Sequence, residues 1–320
     1  MNRNYLKRTF SFFLESKYHI KILLKLKNWV SLESSDSMKN ITIEQIKQIE
    51  LEILEDVASF CDKYNLRYYL CGGTLIGAIR HKGFIPWDDD IDIIMPRPDY
   101  IKFVRLYNSH RKNYKVHSNF TDKYWYSTFA EVEDTRTKKI YKGFNLEGDY
   151  GITIDIFPID GSPDNRIKRK IFWTINNFLT RIATLSKLNF SISYHFVDQD
   201  KRFSTIRTLV RTGIKFLGIP VARFICKFWD LNRIVTQRAM KYDVDKSEYI
   251  GVSTFPHYGY KECIRRGPFL KQKLRIFEGK YFSTPDYYDE YLKNLYGDYM
   301  KMPPKEKQVP HHNFVAYWRK

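Results

Sequence analysis

The stretch from Tyr69 to Met95 constrains this chain more than any other. It reads as a short apolar strand, a Gly72-Gly73 turn, a brief helix over Thr74–His81, a loop, and a strand over Ile91–Met95. Asp90 and Asp92 alternate with Ile91 and Ile93. Alternate residues of a strand share a face, so both carboxylates fall on one side and both isoleucines on the other. Two like charges that close repel unless a cation lies between them. A hard divalent ion, Mg²⁺ or Mn²⁺, suits carboxylate oxygens and commonly accompanies phosphates. The pattern points to phosphoryl chemistry. The plainer reading is an acidic exposed loop, against which the flanking isoleucines argue.

Neighbouring residues suit the same chemistry. Gly72 and Gly73 have no Cβ, which lets backbone N–H groups approach phosphate oxygens closely. Thr74 offers a hydroxyl and a cap for the following helix, whose N-terminus favours an anion. Arg80, Lys82 and Arg97 are the nearest cations in sequence and candidates for neutralising a diphosphate. A bare double-glycine turn, or Arg97 and Asp99 bracketing a helix start, are the structural alternatives.

Three segments in order carry a resemblance: Gly83-Phe-Ile-Pro-Trp-Asp-Asp-Asp-Ile-Asp-Ile, Met95-Pro-Arg-Pro-Asp-Tyr100, and Tyr296-Gly-Asp-Tyr-Met-Lys-Met-Pro-Pro304 followed by His311-His312. Together they resemble the LicD family and, through it, the nucleotidyltransferase superfamily, over roughly residues 43–160 and 248–318. The resemblance implies an α+β fold: a nucleotidyltransferase-like core around a small mixed β-sheet. It implies that Asp155, in Gly151-Ile-Thr-Ile-Asp-Ile-Phe, completes a metal-ligand set with Asp90 and Asp92. It also implies transfer of phosphocholine, or a related phospho-alcohol, from a CDP-linked donor to a hydroxyl of a cell-surface glycan, teichoic-acid or capsule precursor, with CMP leaving. Two other readings remain at this point: a nucleotidyltransferase releasing pyrophosphate, and a basic membrane-binding adaptor without catalysis. A choline head group calls for aromatic faces, for which Trp87, Tyr124, Trp125, Tyr126 and Trp318 are candidates.

The charge of +18 is unevenly placed. Residues 1–40 carry 8 Lys/Arg against 3 Asp/Glu, and residues 165–240 carry 15 against 3. The remainder is nearly neutral. Basic residues recur through Thr205–Trp229 opposite apolar ones, and Lys7–Lys27 repeats the theme. Such segments fit either helices lying on a membrane interface or ordinary surface helices with solvated charges. Nucleic acid is disfavoured, because the aromatics interleave with aliphatics at helical spacing instead of forming stacking platforms. Neither a signal peptide nor a membrane-spanning run is evident. The four cysteines have no metal or disulfide spacing, which fits a reduced, cytoplasmic protein.

Four regions are expected: a basic segment (1–40), a catalytic core (41–161), a basic helical insertion (162–240), and the return of the core (241–320). Thr42 and Gln45 predict a capping box. Pro98 predicts a helix start, Tyr126–Val132 and Ile152–Phe157 predict strands, and Thr284-Pro285 predicts the start of a late helix.

Overall fold

The computed structural model describes residues 39–122, 125–141, 149–188, 204–309 and 314–319. Helix α1 (Ile43–Tyr64) begins at a reciprocal capping box between Thr42 and Gln45, and Asn65 closes it in the left-handed conformation. Then follow β1 (Tyr69–Leu70) and α2 (Gly72–Ile76), which runs into a π-helical turn over Gly77–His81. Next come β2 (Asp92–Pro96), α3 (Arg97–Leu106), β3 (Tyr114–His117), β4 (Ala130–Asp134), β5 (Thr137–Tyr141) and β6 (Ile152–Ser162). Helices α4 (Arg166–Leu185), α5 (Ser204–Phe228) and α6 (Leu231–Ala239) precede β7 (Tyr249–Gly251) and β8 (Ile264–Arg265). The described chain ends with a hairpin of β9 (Gln272–Phe277) and β10 (Lys280–Pro285), then α7 (Tyr288–Tyr296) and β11 (Phe314–Trp318).

The fold is α+β. Its main sheet runs β1-β2-β6-β4-β3, with β7 on the later half of β6 and β8 beyond it. Strands β2 and β6 are parallel; the other pairs in this sheet are antiparallel. Helix α1 packs across β6 and β4. It buries Ile46, Ile49, Ile53, Val57 and Phe60 in one core with Ile91, Ile93, Ile154 and Ile156. Helices α4 to α6 leave the sheet after β6 and return at β7, its antiparallel neighbour.

Several boundaries differ from expectation for local reasons. The double glycine does not form a separate turn. It opens α2, with Gly72 at φ +55° and Gly73 already in the helix. Strand β4 starts four residues after Tyr126, because Trp125 closes a loop by donating its indole N–H to the Phe129 carbonyl at 2.7 Å. Thr284 and Pro285 end β10 instead of capping α7, and the Thr284 hydroxyl donates to the Lys273 carbonyl. Helix α5 runs through Pro220. No helix among the described residues is long and apolar enough to cross a membrane.

Candidate active site

Strand alternation builds the floor of the site. Asp92 on β2 and Asp155 on β6 are direct partners across the parallel pair, so their side chains share a face. Asp90 precedes β2 on the same alternation. Asp90, Asp92 and Ile94, with Asp155 and Phe157, line a cleft of about 520 Å³. The intervening Ile91, Ile93, Ile154 and Ile156 are fully buried in the core behind it. The period of two in the sequence is thus the division between cleft and core.

Helix α2 supplies the adjoining wall. The left-handed Gly72 lies against Asp92; a Cβ there would stand 3.0 Å from Asp92 Oδ2, and one on Gly73 would stand 2.5 Å from Asp88 Oδ2. The glycines therefore provide close approach, but the atoms that approach are carboxylate oxygens. Thr74 is buried within α2, and its hydroxyl accepts the backbone N–H of Asp92 at 2.8 Å. Its role is to pin β2 to α2, not to cap the helix.

The three candidate cations stand elsewhere. Arg80 donates to the Tyr299 carbonyl at 2.6 Å and to His81. Lys82 donates to the Ile79 carbonyl at 3.3 Å. Arg97 lies at the far end of β2 in a buried, two-pronged ion pair with Asp160 of β6, at 2.7 and 2.5 Å. None of them lines the cleft, and neither does any other Lys or Arg among the described residues. The sequence reading offered these three for a diphosphate; the fold does not bring them to the cleft lining.

The electrostatics follow from this geometry. Asp92 is half-buried as a residue, but its carboxyl is enclosed, and burial drives its pKa well above the ordinary range. The charges of Asp90, Asp155, Asp88 and Glu262 push it in the same direction.

Residues 65–199 match the family described as LicD/FKTN/FKRP, nucleotidyltransferase domain. The chain is also 33% identical to the lipopolysaccharide cholinephosphotransferase LicD of Haemophilus influenzae over 285 residues, which is 88% of this chain and 99% of that protein. The chain belongs to the LicD family. It is further similar to uncharacterised proteins of Rickettsia typhi, 36% identical over 80 residues, and Rickettsia prowazekii, 35% over 74. Those matches cover 24% and 23% of this chain and 26% and 28% of the two proteins.

Three further acids surround the floor of the LicD-family cleft, and the sequence motifs do not single them out. Glu50 of α1 is 2% exposed, and its Oε2 has no hydrogen-bond partner. Burial and then the charge of Asp90 hold its pKa far up, with Lys139 opposing. Its signal is a charge on the apolar face formed by Ile46, Ile49 and Ile53. Glu131 of β4 pairs with Asp155, extending the row Asp92–Asp155–Glu131 across three strands, and the Tyr126 hydroxyl donates to it. Its signal is the alternation Glu131-Val-Glu133 within β4. Glu262 lines the same cleft from a 3-10 turn, Gly259–Glu262, against which α4 and α7 pack, and its charge acts on Asp92. Nothing in its local sequence marks it.

The donor chemistry here is oxygen-only and anionic, with one orphaned buried carboxylate oxygen on Glu50. A hard divalent cation fits that set in kind. Among the described residues, however, no three His, Cys, Asp or Glu side chains are drawn together closely enough to hold an ion. Strand register fixes the backbones of Asp92 and Asp155, but the carboxylates are not closed on a common centre.

The aromatic wall is Trp87, Phe157, Phe255, Tyr258, Tyr291 and Tyr296. Of the aromatic candidates from sequence that are among the described residues, only Trp87 lines it. Trp125 is buried and stacks on His117, with ring centres 5.2 Å apart, and Trp318 pairs into β11 beside Arg136. Tyr124, His311, His312 and residues 1–38 lie outside the described residues.

Proposed function

We propose that this LicD-family protein is a phosphotransferase. In this reading it moves phosphocholine, or a related phospho-alcohol, from a CDP-linked donor to a glycan hydroxyl. The observation that carries this reading is the pairing of Asp92 with Asp155 on the floor of a cleft that aromatic side chains also line. The relative in Haemophilus influenzae, named a lipopolysaccharide cholinephosphotransferase, supports the substrate class. In the reaction the acceptor oxygen bonds to the phosphorus of the phospho-alcohol, the bond from that phosphorus to the CMP oxygen breaks, and the hydroxyl proton departs.

Asp90, Asp92 and Asp155 are the residues that would hold a divalent cation. Such an ion, when bound, supplies charge neutralisation for the diphosphate and lowers the pKa of the attacking hydroxyl. The residues of the chain position everything else. Thr74 and the Cys71 N–H, which donates to the Asp92 carbonyl at 3.1 Å, fix Asp92 against α2. Asp155 stands beside it to receive the hydroxyl proton. Phosphoryl transfer draws most of its rate from positioning and electrostatics, so a carboxylate cleft with no basic side chain in its described wall depends on the ion.

The acceptor class bears on α4 and α5. These two helices carry ten Lys/Arg and no Asp/Glu. On the side of α4 opposite its buried residues lie Ile167, Ile171, Ile175 and Phe178, all exposed; α5 exposes Phe216, Leu217, Val221, Phe224 and Phe228. Apolar stripes flanked by basic residues suit the surface of an anionic bilayer, where a lipid-linked acceptor would be met.

Incubation with CDP-choline, Mg²⁺ and a lipid-linked glycan fraction tests the chemistry. The expected product is CMP, lost with chelator and in Asp92→Asn. Release of pyrophosphate from CTP in place of CMP from CDP-choline would move the protein to the nucleotidyltransferase class. Sedimentation with phosphatidylglycerol vesicles tests the surface. Phe178→Glu with Phe224→Glu is expected to abolish binding, and equal binding by wild type and variant would refute that contact.

A further inference from the structure

Helix α1 carries an acid where its core face calls for an apolar residue. Glu50 falls among Ile46, Ile49, Ile53 and Leu54, all buried in the main core, and is itself 2% exposed. Its Oε2 has no hydrogen-bond partner among the described residues. Other enclosed acids of this chain are matched. Asp160 takes both prongs of Arg97, Asp134 accepts from Arg136 Nε at 2.9 Å, and Glu133 accepts the Gly151 N–H at 3.1 Å with His117 beside it. An apolar residue of similar size at position 50 would avoid the cost of enclosing a carboxyl oxygen with nothing bound to it. Such a group is retained where a ligand completes it.

The surroundings of Glu50 define the charge of that ligand. The charges of Asp90, Asp89 and Asp155 all act on its carboxyl. Lys139 opposes them, but its ammonium donates to the Thr153 hydroxyl at 2.8 Å and lies 5.3 Å from the centre of the Phe314 ring. An anion is repelled by this set, and a bulky organic cation does not fit so enclosed a position. A small, hard cation suits it, and such an ion gathers oxygen ligands from several directions. Asp90, Asp92 and Asp155 share one face of the sheet and approach from one side. Glu50 comes from a helix packed against β6 and β4, and so offers an oxygen from a different element.

We propose that Glu50 is a fourth acid of the divalent-cation site, its free Oε2 held on the ion or on a water bound to it. The inference rests on the metal-assisted phosphotransferase reading and deepens it, because it extends the donor set beyond the strands to α1. No bond to the substrate forms or breaks at Glu50. Its part is to hold the ion and to tie α1 to the acid floor when the ion is present.

The test is Mn²⁺ binding to the full chain, followed by electron paramagnetic resonance of the free ion. Wild type is compared with Glu50→Gln, which keeps shape, and Glu50→Asp, which keeps charge but withdraws the oxygen by one methylene. Both variants are expected to bind Mn²⁺ about tenfold or more weakly. Thermal melting in chelator should show the Gln variant no less stable than wild type, which separates lost affinity from lost fold. Equal affinity in wild type and Glu50→Gln would overturn the inference. So would wild-type affinity in Glu50→Asp, since charge alone would then suffice. Infrared difference spectra of wild type, isotope-labelled at its glutamate carboxyls, need no variant to fold: Mn²⁺ should shift a labelled band, and movement of aspartate bands alone would overturn the inference while leaving the phosphotransferase reading standing. No Mn²⁺ binding by wild type, with or without CDP-choline, would overturn both.

Discussion

Replacing Glu262 with glutamine should make the unliganded protein more stable at alkaline pH. The ordinary glutamate pKa of 4.5 rises to about 7 in the fold because burial penalises the charged form, against a modest opposing bond from the Tyr258 N–H. A raised carboxyl pKa contributes stability that is fully present below the unfolded value and is lost as pH climbs through the folded value. The window is therefore pH 4.5 to about 7. At ~1.4 kcal/mol per unit, this displacement makes the ionised glutamate cost about 3 kcal/mol above that window. Glutamine has no proton to lose and can accept the same backbone N–H.

Urea unfolding of wild type and Glu262→Gln at pH 5 and pH 8 measures the effect. Near pH 5 the two proteins should differ little. At pH 8 the variant should gain about 3 kcal/mol relative to wild type, an upper bound because some solvent follows the charge inward. Glu50 shifts in the same direction and is common to both proteins; Asp92, which the charge of Glu262 pushes up, is relieved in the variant and adds to its gain at pH 8. A stability difference that does not change between pH 5 and 8 would refute the reasoning. So would a variant that is less stable at pH 8, which would show that Glu262 is matched by a cation in the free protein.

Asp92→Asn should abolish CMP release while raising the melting temperature at pH 8, because it removes one of several enclosed like charges; a melting temperature that falls would contradict the repulsion at this site. Arg97→Ala leaves Asp160 buried without its partner, and urea unfolding should report a loss of about 3–5 kcal/mol. Gly72→Ala places a Cβ 3.0 Å from Asp92 Oδ2 on a backbone at φ +55°. It should cost about 1–2 kcal/mol in stability, and because the clash falls on a site carboxylate, CMP release should fall by at least tenfold.

The floor of the site was legible because strands encode their faces in a period of two. Asp90-Ile-Asp92-Ile and Ile154-Asp155-Ile156 separate cleft from core without knowledge of any partner strand. That Asp92 and Asp155 would become direct partners was not written in either segment; it follows from the parallel pairing of β2 with β6. The cations stand away from the cleft for a geometric reason. A strand advances about 3.3 Å per residue, so Arg97, five residues after Asp92, lies about 16 Å along β2. There it meets Asp160 and ties the far ends of β2 and β6 together. Glu50 could have been read as a charge on an apolar helix face. Glu262 could not, since the packing of distant helices α4 and α7 on its turn brings it to the cleft. The β9–β10 hairpin was missed because Glu278-Gly279 is a weak turn signal. Both residues nonetheless take positive φ, and Glu278 is held there by its side chain accepting the Phe84 N–H at 2.9 Å.

The distribution of charge ties these parts into one design. A chain with a net charge of +18 builds a cleft whose described wall contains Asp88, Asp90, Asp92, Asp155 and Glu262 and no Lys or Arg. Helices α4 and α5 instead carry ten Lys/Arg with no acid, more than half of that net charge, and expose apolar stripes. Had the cleft used those cations to bind a diphosphate directly, an ion would be superfluous and the acids would repel the donor. In the proposed reading, acids in their place would tolerate the donor's phosphates only beside a cation that neutralises both. In the same reading the basic helices would meet a different anion, and lipid phosphates at a bilayer surface are one that their apolar stripes also suit.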